Sequence, residues 1–275
     1  MNRFFVSILC LFICGARAQT ADPNMANPTI VVTAKRDGYT IAGLVTHLEG
    51  AKNFKHGVAL FPGHPGILRL RDEGSAIRFE LGGNFLVRAR RWWLDEDMLV
   101  VVVDAPSDQW GSFSQNFRTT ERYGADVAAL LQEVAKQWPV QDWTFVGTSE
   151  GSVSAFHAAR MNPALARRVI LTSSVIRAGR NGPGLSGVDY SALKSKLLWV
   201  NHEDDPCDFT LTSLVKDAAQ RSGAPLVLVH GGGPERGQPC MAYSHHGFVG
   251  VEKETVLAMR SWIQTGVVPS DVKPN

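Results

Sequence analysis

Short apolar runs alternate with longer amphipathic stretches along most of the sequence. The candidate strands are the runs at residues 30–33, 39–47, 58–61, 98–103, 143–146, 169–172, 197–201 and 226–229. The later runs are almost continuous in Val, Leu, Ile and Phe, which is typical of parallel strands buried on both faces. The short segment at residues 35–38 lies between the first two runs, which suits an antiparallel hairpin. The pattern predicts an α/β fold with a mostly parallel, eight-stranded sheet and helices on both faces.

Amphipathic stretches occupy the positions expected of helices. They span residues 83–94, 119–137, 150–161, 210–221 and 253–264. Pro139 follows the second stretch and Pro163 follows the third, and proline cannot continue a helix. The chain has 275 residues, of which 44% are hydrophobic and 20% are charged, and no repeat or low-complexity tract interrupts it. We therefore expect residues 29–275 to form a single domain.

The N-terminus has the features of a secretory signal peptide. A basic residue precedes an apolar run over residues 4–15, and Ala16 and Ala18 supply the small residues of a cleavage site. The run is shorter than the roughly 20 residues that span a bilayer. We expect residues 1–18 to be removed, residues 19–28 to form a flexible lead, and the protein to reach the periplasm or the extracellular space. An uncleaved anchor or a lipid-attached cysteine is the alternative.

The charge of the chain gives no support for a nucleic-acid or membrane-surface partner. The formal net charge is +2 at pH 7, and no block of like charges occurs. Signal cleavage also removes Arg3 and Arg17, which leaves Lys and Arg equal in number to the 26 acidic residues. A neutral chain without a basic patch lacks the electrostatic attraction that nucleic-acid binding requires. We expect no nucleic-acid partner and no stable membrane insertion after cleavage.

A Gly-x-Ser-x-Gly motif, Gly147 to Gly151, joins an apolar strand to an Ala-rich helix. This context places Ser149 on a sharp strand-to-helix turn at the carboxyl edge of the sheet, where its hydroxyl is exposed. The glycines allow the close backbone approach that such a turn demands, and the helix N-terminus favours a developing negative charge. The motif predicts a serine nucleophile.

A serine nucleophile needs a base, and the base needs an orienting carboxylate. An acidic cluster at residues 203–205 follows the run at 197–201, and His245 and His246 precede the last predicted helix. Nucleophile, acid and histidine therefore occur in the chain order of the Ser-Asp-His hydrolases. Each group lies where open α/β sheets build their sites, in a loop that leaves a strand.

With these motifs the sequence resembles the α/β-hydrolase superfamily over nearly all of the mature chain. In that family the acid usually precedes a proline or an apolar residue directly, which favours Asp205 over Asp204. The histidine is commonly followed, after one intervening residue, by phenylalanine, as His246 is by Phe248, and this favours His246 over His245. The resemblance implies Ser149 as nucleophile, His246 as general base and Asp205 as the orienting acid.

The resemblance also implies an oxyanion hole built from backbone N–H groups. The N–H of Glu150, directly after the nucleophile, is one donor. The loop from Pro62 to Gly66 is similar to the His-Gly-Gly-Pro-Gly loop of some family members, and this match assigns the second donor to the N–H of His64. The loop departs from the pattern at Pro62, where family members often carry an anchoring histidine.

Signal cleavage would leave Cys207 and Cys240 as the remaining cysteines of a chain in an oxidising compartment. This predicts a disulfide, with two buried free thiols as the alternative. Cys207 lies two residues after Asp205, and Cys240 lies six residues before His246. A disulfide would link the loop that carries Asp205 to the loop that carries His246 and hold the carboxylate against the imidazole. The alternative is that it only stabilises the exported protein and has no effect on catalysis.

Two further groups of residues have open interpretations. Trp110, Phe113 and Phe117 follow a strand that should neighbour the nucleophile, and they either line a substrate pocket or pack beneath the loop. His202 and the acidic cluster after it, together with His245 and His246, offer enough donors for a metal ion. The spacings match no tight metal-binding motif, so we expect no metal and no cofactor.

The predicted activity is that of an exported serine hydrolase acting on carboxylic esters of small molecules. Residues 175–196, where many relatives insert a helical cap, are too few for a separate lid and predict an open site. A peptidase or amidase of the same fold is the alternative enzyme, because the Pro62 loop also resembles that of proline-releasing aminopeptidases. A catalytically silent binding protein is the alternative outside enzymes.

Overall fold

The computed structural model of the protein describes residues 29–274. The predicted signal peptide, residues 1–18, and the predicted lead, residues 19–28, lie outside the described residues. Within residues 29–274, none of the helices combines the length and the apolar character needed to cross a membrane.

A large sheet forms the centre of the molecule. Its strands, and two strands of a small separate ribbon, are β1 (Thr29–Lys35), β2 (Thr40–Thr46), β3 (Phe54–Phe61), β4 (Arg71–Asp72), β5 (Ile77–Arg78), β6 (Met98–Val103), β7 (Val140–Ser149), β8 (Ala166–Ser174), β9 (Leu197–His202) and β10 (Leu226–Val229). The large sheet has eight strands in the order β1-β2-β6-β3-β7-β8-β9-β10, and β4 pairs with β5. Pairs β1–β2 and β2–β6 are antiparallel, and the other neighbours in the sheet are parallel. The mostly parallel, eight-stranded sheet is therefore confirmed.

The α-helices are α1 (Phe85–Arg88), α2 (Gln115–Arg118), α3 (Glu121–Gln137), α4 (Glu150–Met161), α5 (Thr212–Ser222) and α6 (Glu252–Thr265). The last four match predicted stretches to within two residues. The stretch at 83–94 is instead a short α1 followed by a 3-10 turn at Arg90–Trp93. The tighter turn carries Trp93 into the apolar core, where its side chain is fully buried. Helix α2 was not predicted from the sequence.

Each face of the sheet has its own hydrophobic core. Along β3, Ala59 and Phe61 belong to one core, and Val58 and Leu60 belong to the other. This division follows from the alternation of side chains along a strand. Buried residues of α3, α4 and α5 complete the first core, and those of α1 and α6 complete the second. The predicted arrangement of helices on both faces is confirmed.

The parallel strands bring their carboxyl ends to one edge of the sheet. The loops after β3, β6, β7, β8 and β9 all leave from this edge. The segment at 175–196, which follows β8, contains a tight bridge between Gly179 and Gly182 and a 3-10 helix at Ser191–Lys196. Within the described part of the chain this segment carries no α-helix, so its cap is a loop.

The packing of α3 on the sheet generates a stability prediction. Leu130 is fully buried against Gly43 of β2, where a Cβ atom would lie 3.2 Å from a Leu130 methyl carbon. We expect Leu130→Ala to lower the free energy of unfolding by about 2–5 kcal/mol, because it removes buried methyl groups and leaves a cavity. Urea denaturation measures the change, and Gln132→Ala, at an exposed position of the same helix, should change it by less than about 0.5 kcal/mol. Equal effects of the two variants would contradict this packing.

Candidate active site

Ser149 lies on the predicted strand-to-helix turn. It is the last residue of β7, and α4 begins at the next residue. Its backbone has φ 53° and ψ −128°, a region that side-chain-bearing residues rarely adopt. A Cβ atom on Gly147 would collide with the carbonyl of Gly151, and one on Gly151 would collide with the carbonyl oxygen of Phe61. Both glycines of the motif are therefore required by close backbone contacts.

The structure brings Asp205 and His246 together. Asp205 lies in the loop after β9, and His246 lies in a 3-10 turn before α6. The Nδ1 atom of His246 is 3.2 Å from Oδ2 of Asp205 and 3.3 Å from Oδ1. A carboxylate can only accept, so Nδ1 carries the hydrogen and Nε2 of a neutral imidazole is left with its lone pair. Both side chains are buried, which strengthens this contact.

Neighbouring groups fix both members of this pair. The hydroxyl of Thr210 donates to Oδ2 of Asp205 at 2.8 Å, and the backbone N–H of Cys207 donates to Oδ1 at 3.0 Å. The Thr210 oxygen also lies 3.1 Å from Nδ1 of His246, from which it can accept. On the other loop, the hydroxyl of Ser173 donates to the carbonyl of His246 at 2.8 Å. Groups from β8 and from the loop after β9 thus hold the imidazole and the carboxylate in place.

The alternative pair, Asp204 and His245, lies elsewhere. Asp204 is exposed, and its backbone N–H donates to Nδ1 of His202 at 3.1 Å. The ring of His245 stacks on that of His202, with centroids 4.1 Å apart and planes within 6° of parallel. Of the two acids and the two histidines considered from the sequence, Asp205 and His246 are therefore the ones in mutual contact.

A metal could draw on His202, Asp204 and His245, whose ligand atoms lie within 4.8 Å of one another. Nε2 of His202 donates to the carbonyl of Gly231 at 2.7 Å, so its Nδ1 is the atom with a free electron pair, and that atom already accepts from the Asp204 N–H. A metal also lies in the plane of each imidazole that binds it, and parallel stacked rings share no such plane. Metal binding would require one ring to rotate.

The loop after β3 passes directly beside the nucleophile. A Cβ atom on Gly63 would lie 2.8 Å from Cβ of Ser149, so the backbone at this point needs a residue without a side chain. The guanidinium of Arg118 donates to the carbonyl of Pro65 at 2.8 Å and to the hydroxyl of Ser154 at 2.8 Å. Arg118 is fully buried and thus anchors this loop to α4.

Asp104, at the end of β6, holds the continuation of the same loop. Its carboxylate accepts from the backbone N–H of Leu68 at 2.6 Å and from that of Leu70 at 2.9 Å. Burial raises the pKa of Asp104 to about 6, although the hydrogen bonds from backbone N–H groups act in the opposite direction. The carboxyl group is therefore a structural acceptor beneath the loop and lies outside the cavity that contains Ser149.

The side chain of Glu150 connects four segments around Ser149. Its carboxylate accepts from Nδ2 of Asn181 at 2.7 Å, from Nδ1 of His64 at 3.1 Å and from Nε2 of Gln115 at 3.2 Å. It also lies 3.7 Å from the Arg118 guanidinium. Burial raises the pKa of Glu150, but the hydrogen bond from His64 and the charge of Arg118 outweigh it, and the pKa falls to about 2. The His64 hydrogen bond to this carboxylate raises the pKa of the imidazole in turn.

Sequence reasoning missed Arg118, Gln115, Asn181 and Thr210. Each is an ordinary polar residue with no motif around it. Arg118, Gln115 and Asn181 reach Glu150 from distant parts of the chain, and Thr210 contacts Asp205 locally and His246 across 36 residues. The one signal was Glu150, an acidic residue beside the nucleophile, where burial demands partners for its charge.

Ser149 and His246 both line a cavity of about 620 Å³ at the carboxyl edge of the sheet, as do Gly63 and His64. The predicted nucleophile, base and oxyanion loop therefore share one cavity. Its walls include the apolar side chains of Leu81, Phe85, Val175, Phe209 and Met241. Apolar walls with a few polar groups are the usual composition of a small-molecule site.

The aromatic residues predicted as a possible pocket lie outside this lining. Phe113 and Phe117 pack against Tyr123 of α3, with ring centroids 5.3 Å and 6.0 Å from the tyrosine ring. The indole N–H of Trp110 donates to the carbonyl of Ala105 at 3.1 Å. Of the two interpretations that the sequence left open, the packing agrees with the one beneath the loop: Phe113 is buried in the core, and Trp110 and Phe117 pack against that core.

A disulfide joins Cys207 and Cys240, as predicted, and both residues line the cavity. It closes a segment of 33 residues between the acid loop and the histidine loop. The disulfide is directly connected to the Asp205–His246 pair, because the backbone N–H of Cys207 donates a hydrogen bond to Asp205.

Removal of the disulfide should affect both stability and the site. We expect the double variant Cys207→Ser, Cys240→Ser to lose about 3–4 kcal/mol of unfolding free energy, because the unfolded chain gains loop freedom. Turnover of the carboxylic esters predicted from the sequence should also fall, since the loop that carries Asp205 loses its covalent link to the loop that carries His246. Chemical denaturation and an ester assay measure these effects, and reductant should reproduce them in the native protein while leaving the double variant unaffected. Unchanged turnover and stability would contradict a role for the bridge.

The charge of Glu150 should contribute to stability in a pH-dependent way. Its pKa is lowered from 4.5 to about 2 in the folded protein, so the contribution is present above pH 4.5 and is lost as the pH falls towards 2. We expect Glu150→Gln to be less stable than the native protein by about 3 kcal/mol at pH 7, with the difference shrinking in acid. Urea denaturation from pH 7 to pH 3 measures this difference. Glu49→Gln, an exposed control, should show none, and a constant difference across this pH range would contradict the assignment.

No protein-family profile matches the sequence, and no curated protein sequence matches it. Solved structures are similar in fold. An α/β serine hydrolase without a lid from Xanthomonas campestris is 16% identical, with a TM-score of 0.52 over 87% of this chain and 93% of that chain. Est1E from Butyrivibrio proteoclasticus is 13% identical, with a TM-score of 0.54 over 86% and 99% of the two chains. A cold-adapted esterase from an Arctic intertidal metagenomic library is 12% identical, with a TM-score of 0.54 over 87% and 98%. The fold shared with these proteins is the predicted one, so the chain has the α/β-hydrolase fold.

Proposed function

We propose that the protein is an exported serine hydrolase that cleaves carboxylic esters through an acyl-enzyme. The observation that carries the proposal is the contact between His246 and Asp205, with His246 and Ser149 lining the same cavity. A serine on a strained turn, a neutral imidazole with a free Nε2 and a buried carboxylate are the groups that nucleophilic acyl transfer needs.

In the first half of the reaction, Nε2 of His246 removes the proton from Ser149 as its oxygen attacks the ester carbonyl carbon. Asp205 accepts the Nδ1 hydrogen bond and stabilises the imidazolium that forms. The backbone N–H groups of Glu150 and His64 donate to the oxyanion of the tetrahedral intermediate. Collapse of the intermediate breaks the bond to the alcohol oxygen, which leaves with the proton held by His246, and the acyl group stays on Ser149.

In the second half, water replaces the alcohol. His246 removes a proton from the water as its oxygen attacks the acyl carbon, and the same donors stabilise the second oxyanion. Collapse returns the proton to the oxygen of Ser149 and releases the carboxylic acid. The cycle consumes one ester and one water and needs no redox partner. Anchoring of the donor loop by Arg118 and Asp104 keeps its N–H groups oriented before substrate binds.

The small cap and the similar proteins support an ester substrate. The segment at 175–196 forms a loop at the cavity, which leaves the site open to accessible esters. Two of the similar structures are described as esterases or carry an esterase name, and one as a hydrolase without a lid. Export is supported by the sequence of residues 1–18 and by the Cys207–Cys240 disulfide.

The proposal is tested by labelling the purified protein with a fluorophosphonate and locating the label by mass spectrometry. We expect labelling of Ser149 alone and turnover of p-nitrophenyl acetate. Ser149→Ala and His246→Ala should each lower kcat by at least about 1,000-fold, because each removes a group that acts in the transition state. The neighbouring variant His245→Ala serves as the matched control and should retain turnover.

The acid is tested with an equally matched pair. Asp205→Asn should lower kcat strongly, because it changes the tautomer of His246, and Asp204→Asn should retain turnover. A folded, disulfide-bonded protein that neither reacts with fluorophosphonate nor hydrolyses esters would refute the proposal in favour of a binding protein. Faster hydrolysis of matched anilides than of esters would assign it to the amidases instead.

A further inference from the structure

The cavity carries two arginine side chains that the proposed mechanism does not use. Arg177 and Arg180 both line it, and both are exposed. We propose that Arg177 and Arg180 bind an anionic group of the substrate, so that the protein prefers esters with an apolar body and a carboxylate or phosphate. This inference rests on the proposed function and names its substrate class.

The charges around the cavity favour an anion. Among the described residues that line it, Glu150 is the one carboxylate, and its oxygens accept from Asn181, His64 and Gln115 while lying near Arg118. Among the ion pairs within residues 29–274, none involves Arg177 or Arg180. A concave site with unpaired cations focuses a positive potential that attracts anionic ligands.

The turn that carries Arg180 is fixed in place before any ligand binds. Gly179 and Gly182 exchange backbone hydrogen bonds of 2.8 Å and 3.2 Å, which close a tight turn with Arg180 and Asn181 at its tip. The side chain of Asn181 then donates to Glu150 at 2.7 Å. Arg180 directly precedes Asn181 in the chain. The hydrogen bond between Asn181 and Glu150 therefore holds the backbone of Arg180 at the cavity.

Arg177 is positioned from the other side. Its backbone N–H and that of Ile176 donate to the carbonyl of Phe209 at 3.4 Å and 3.1 Å. The N–H of Gly184, at the far end of the same segment, donates to Oε1 of Gln115 at 2.8 Å. Both arginines therefore extend from an anchored backbone, and less freedom is lost when their side chains bind a ligand. The planar guanidinium group suits carboxylate and phosphate, which accept two parallel hydrogen bonds.

The remaining walls indicate what the anionic group is attached to. Phe209 and Met241 line the cavity and are 41% and 54% exposed, which is unusual for such large apolar residues. Leu81, Phe85 and Val175 add further apolar surface. Burial of such surface favours a substrate with an aromatic or aliphatic body. The cavity thus matches an amphipathic anion better than a neutral short-chain ester.

The test compares two substrates of nearly equal shape, 4-acetoxybenzoate and 4-acetoxybenzamide, each corrected for its spontaneous hydrolysis. The native protein should favour the benzoate in kcat/KM, and high salt should reduce that preference. In the double variant Arg177→Ala, Arg180→Ala the ratio of benzoate to benzamide should fall about tenfold, because two charge-assisted contacts are lost. Arg180→Lys should retain part of the ratio, and Arg71→Ala, an exposed arginine on the β4–β5 ribbon, should retain all of it.

Further substrates distinguish the source of the anion. 4-Acetoxyphenyl phosphate, compared with the neutral 4-acetoxybenzamide, carries phosphate on the alcohol side of the ester. Ethyl hydrogen adipate, compared with the neutral ethyl adipamate, carries a carboxylate on the acyl side. A preference for any one charged ester that depends on Arg177 and Arg180 supports the inference and identifies the side. Equal kcat/KM for charged and neutral members of all pairs would overturn it, as would a ratio that the double variant leaves unchanged.

A binding measurement separates this inference from the proposed function. Calorimetry with Ser149→Ala and 4-acetoxybenzoate needs no turnover, and we expect affinity to fall about tenfold when both arginines are also replaced by alanine. Ser149-dependent hydrolysis of p-nitrophenyl acetate without any preference for anions would refute only the inference. Anion binding that depends on the arginines, in a protein that hydrolyses no ester, would refute only the hydrolase. Binding that is independent of the arginines would overturn the anion site itself.

Discussion

The buried carboxylate of Glu150 is the interaction on which the rest of the candidate site depends. A buried charge is costly unless it is paired, and Glu150 is paired from four directions. His64 brings the loop after β3, Gln115 and Arg118 bring α2, and Asn181 brings the turn after β8. Because Glu150 also begins α4 directly after Ser149, these partners are placed around the nucleophile. A single anion thereby organises loops that leave three different strands.

The Asp205–His246 pair is held by a different principle. Each oxygen of Asp205 accepts a local hydrogen bond, one from the Cys207 N–H and one from the Thr210 hydroxyl. The disulfide adds a covalent tie to the loop that carries the imidazole. The surroundings of Ser149 are thus organised by the buried charge of Glu150. The Asp205–His246 pair is organised by local hydrogen bonds and by the disulfide. Both parts of the site rest on the parallel sheet, whose strands end at a common edge.

Much of the fold could be predicted from the sequence, because apolar periodicity reflects burial directly. All eight strands of the sheet were expected, and α4 begins and ends where its pattern does. The Gly-x-Ser-x-Gly motif was readable because backbone collisions exclude other residues at Gly147 and Gly151. The roles of Arg118 and Asn181 could not be predicted from the sequence, since these residues contact Glu150 only through tertiary packing. The sequence left open whether Phe113 lines a pocket or packs beneath its loop, because its packing on Tyr123 is a tertiary contact that sequence neighbours do not reveal.

The four partners of Glu150 have an evolutionary consequence. A substitution at position 64, 115, 118 or 181 removes one of the partners of the buried Glu150 carboxylate. A substitution at position 150 leaves the buried guanidinium of Arg118 without its acidic partner. A substitution at any one of these positions is therefore not neutral unless a second position changes with it. In descendants of this chain the five positions should be inherited as a correlated set, and the turn that carries Arg180 should be retained or lost together with the acidic residue after the serine.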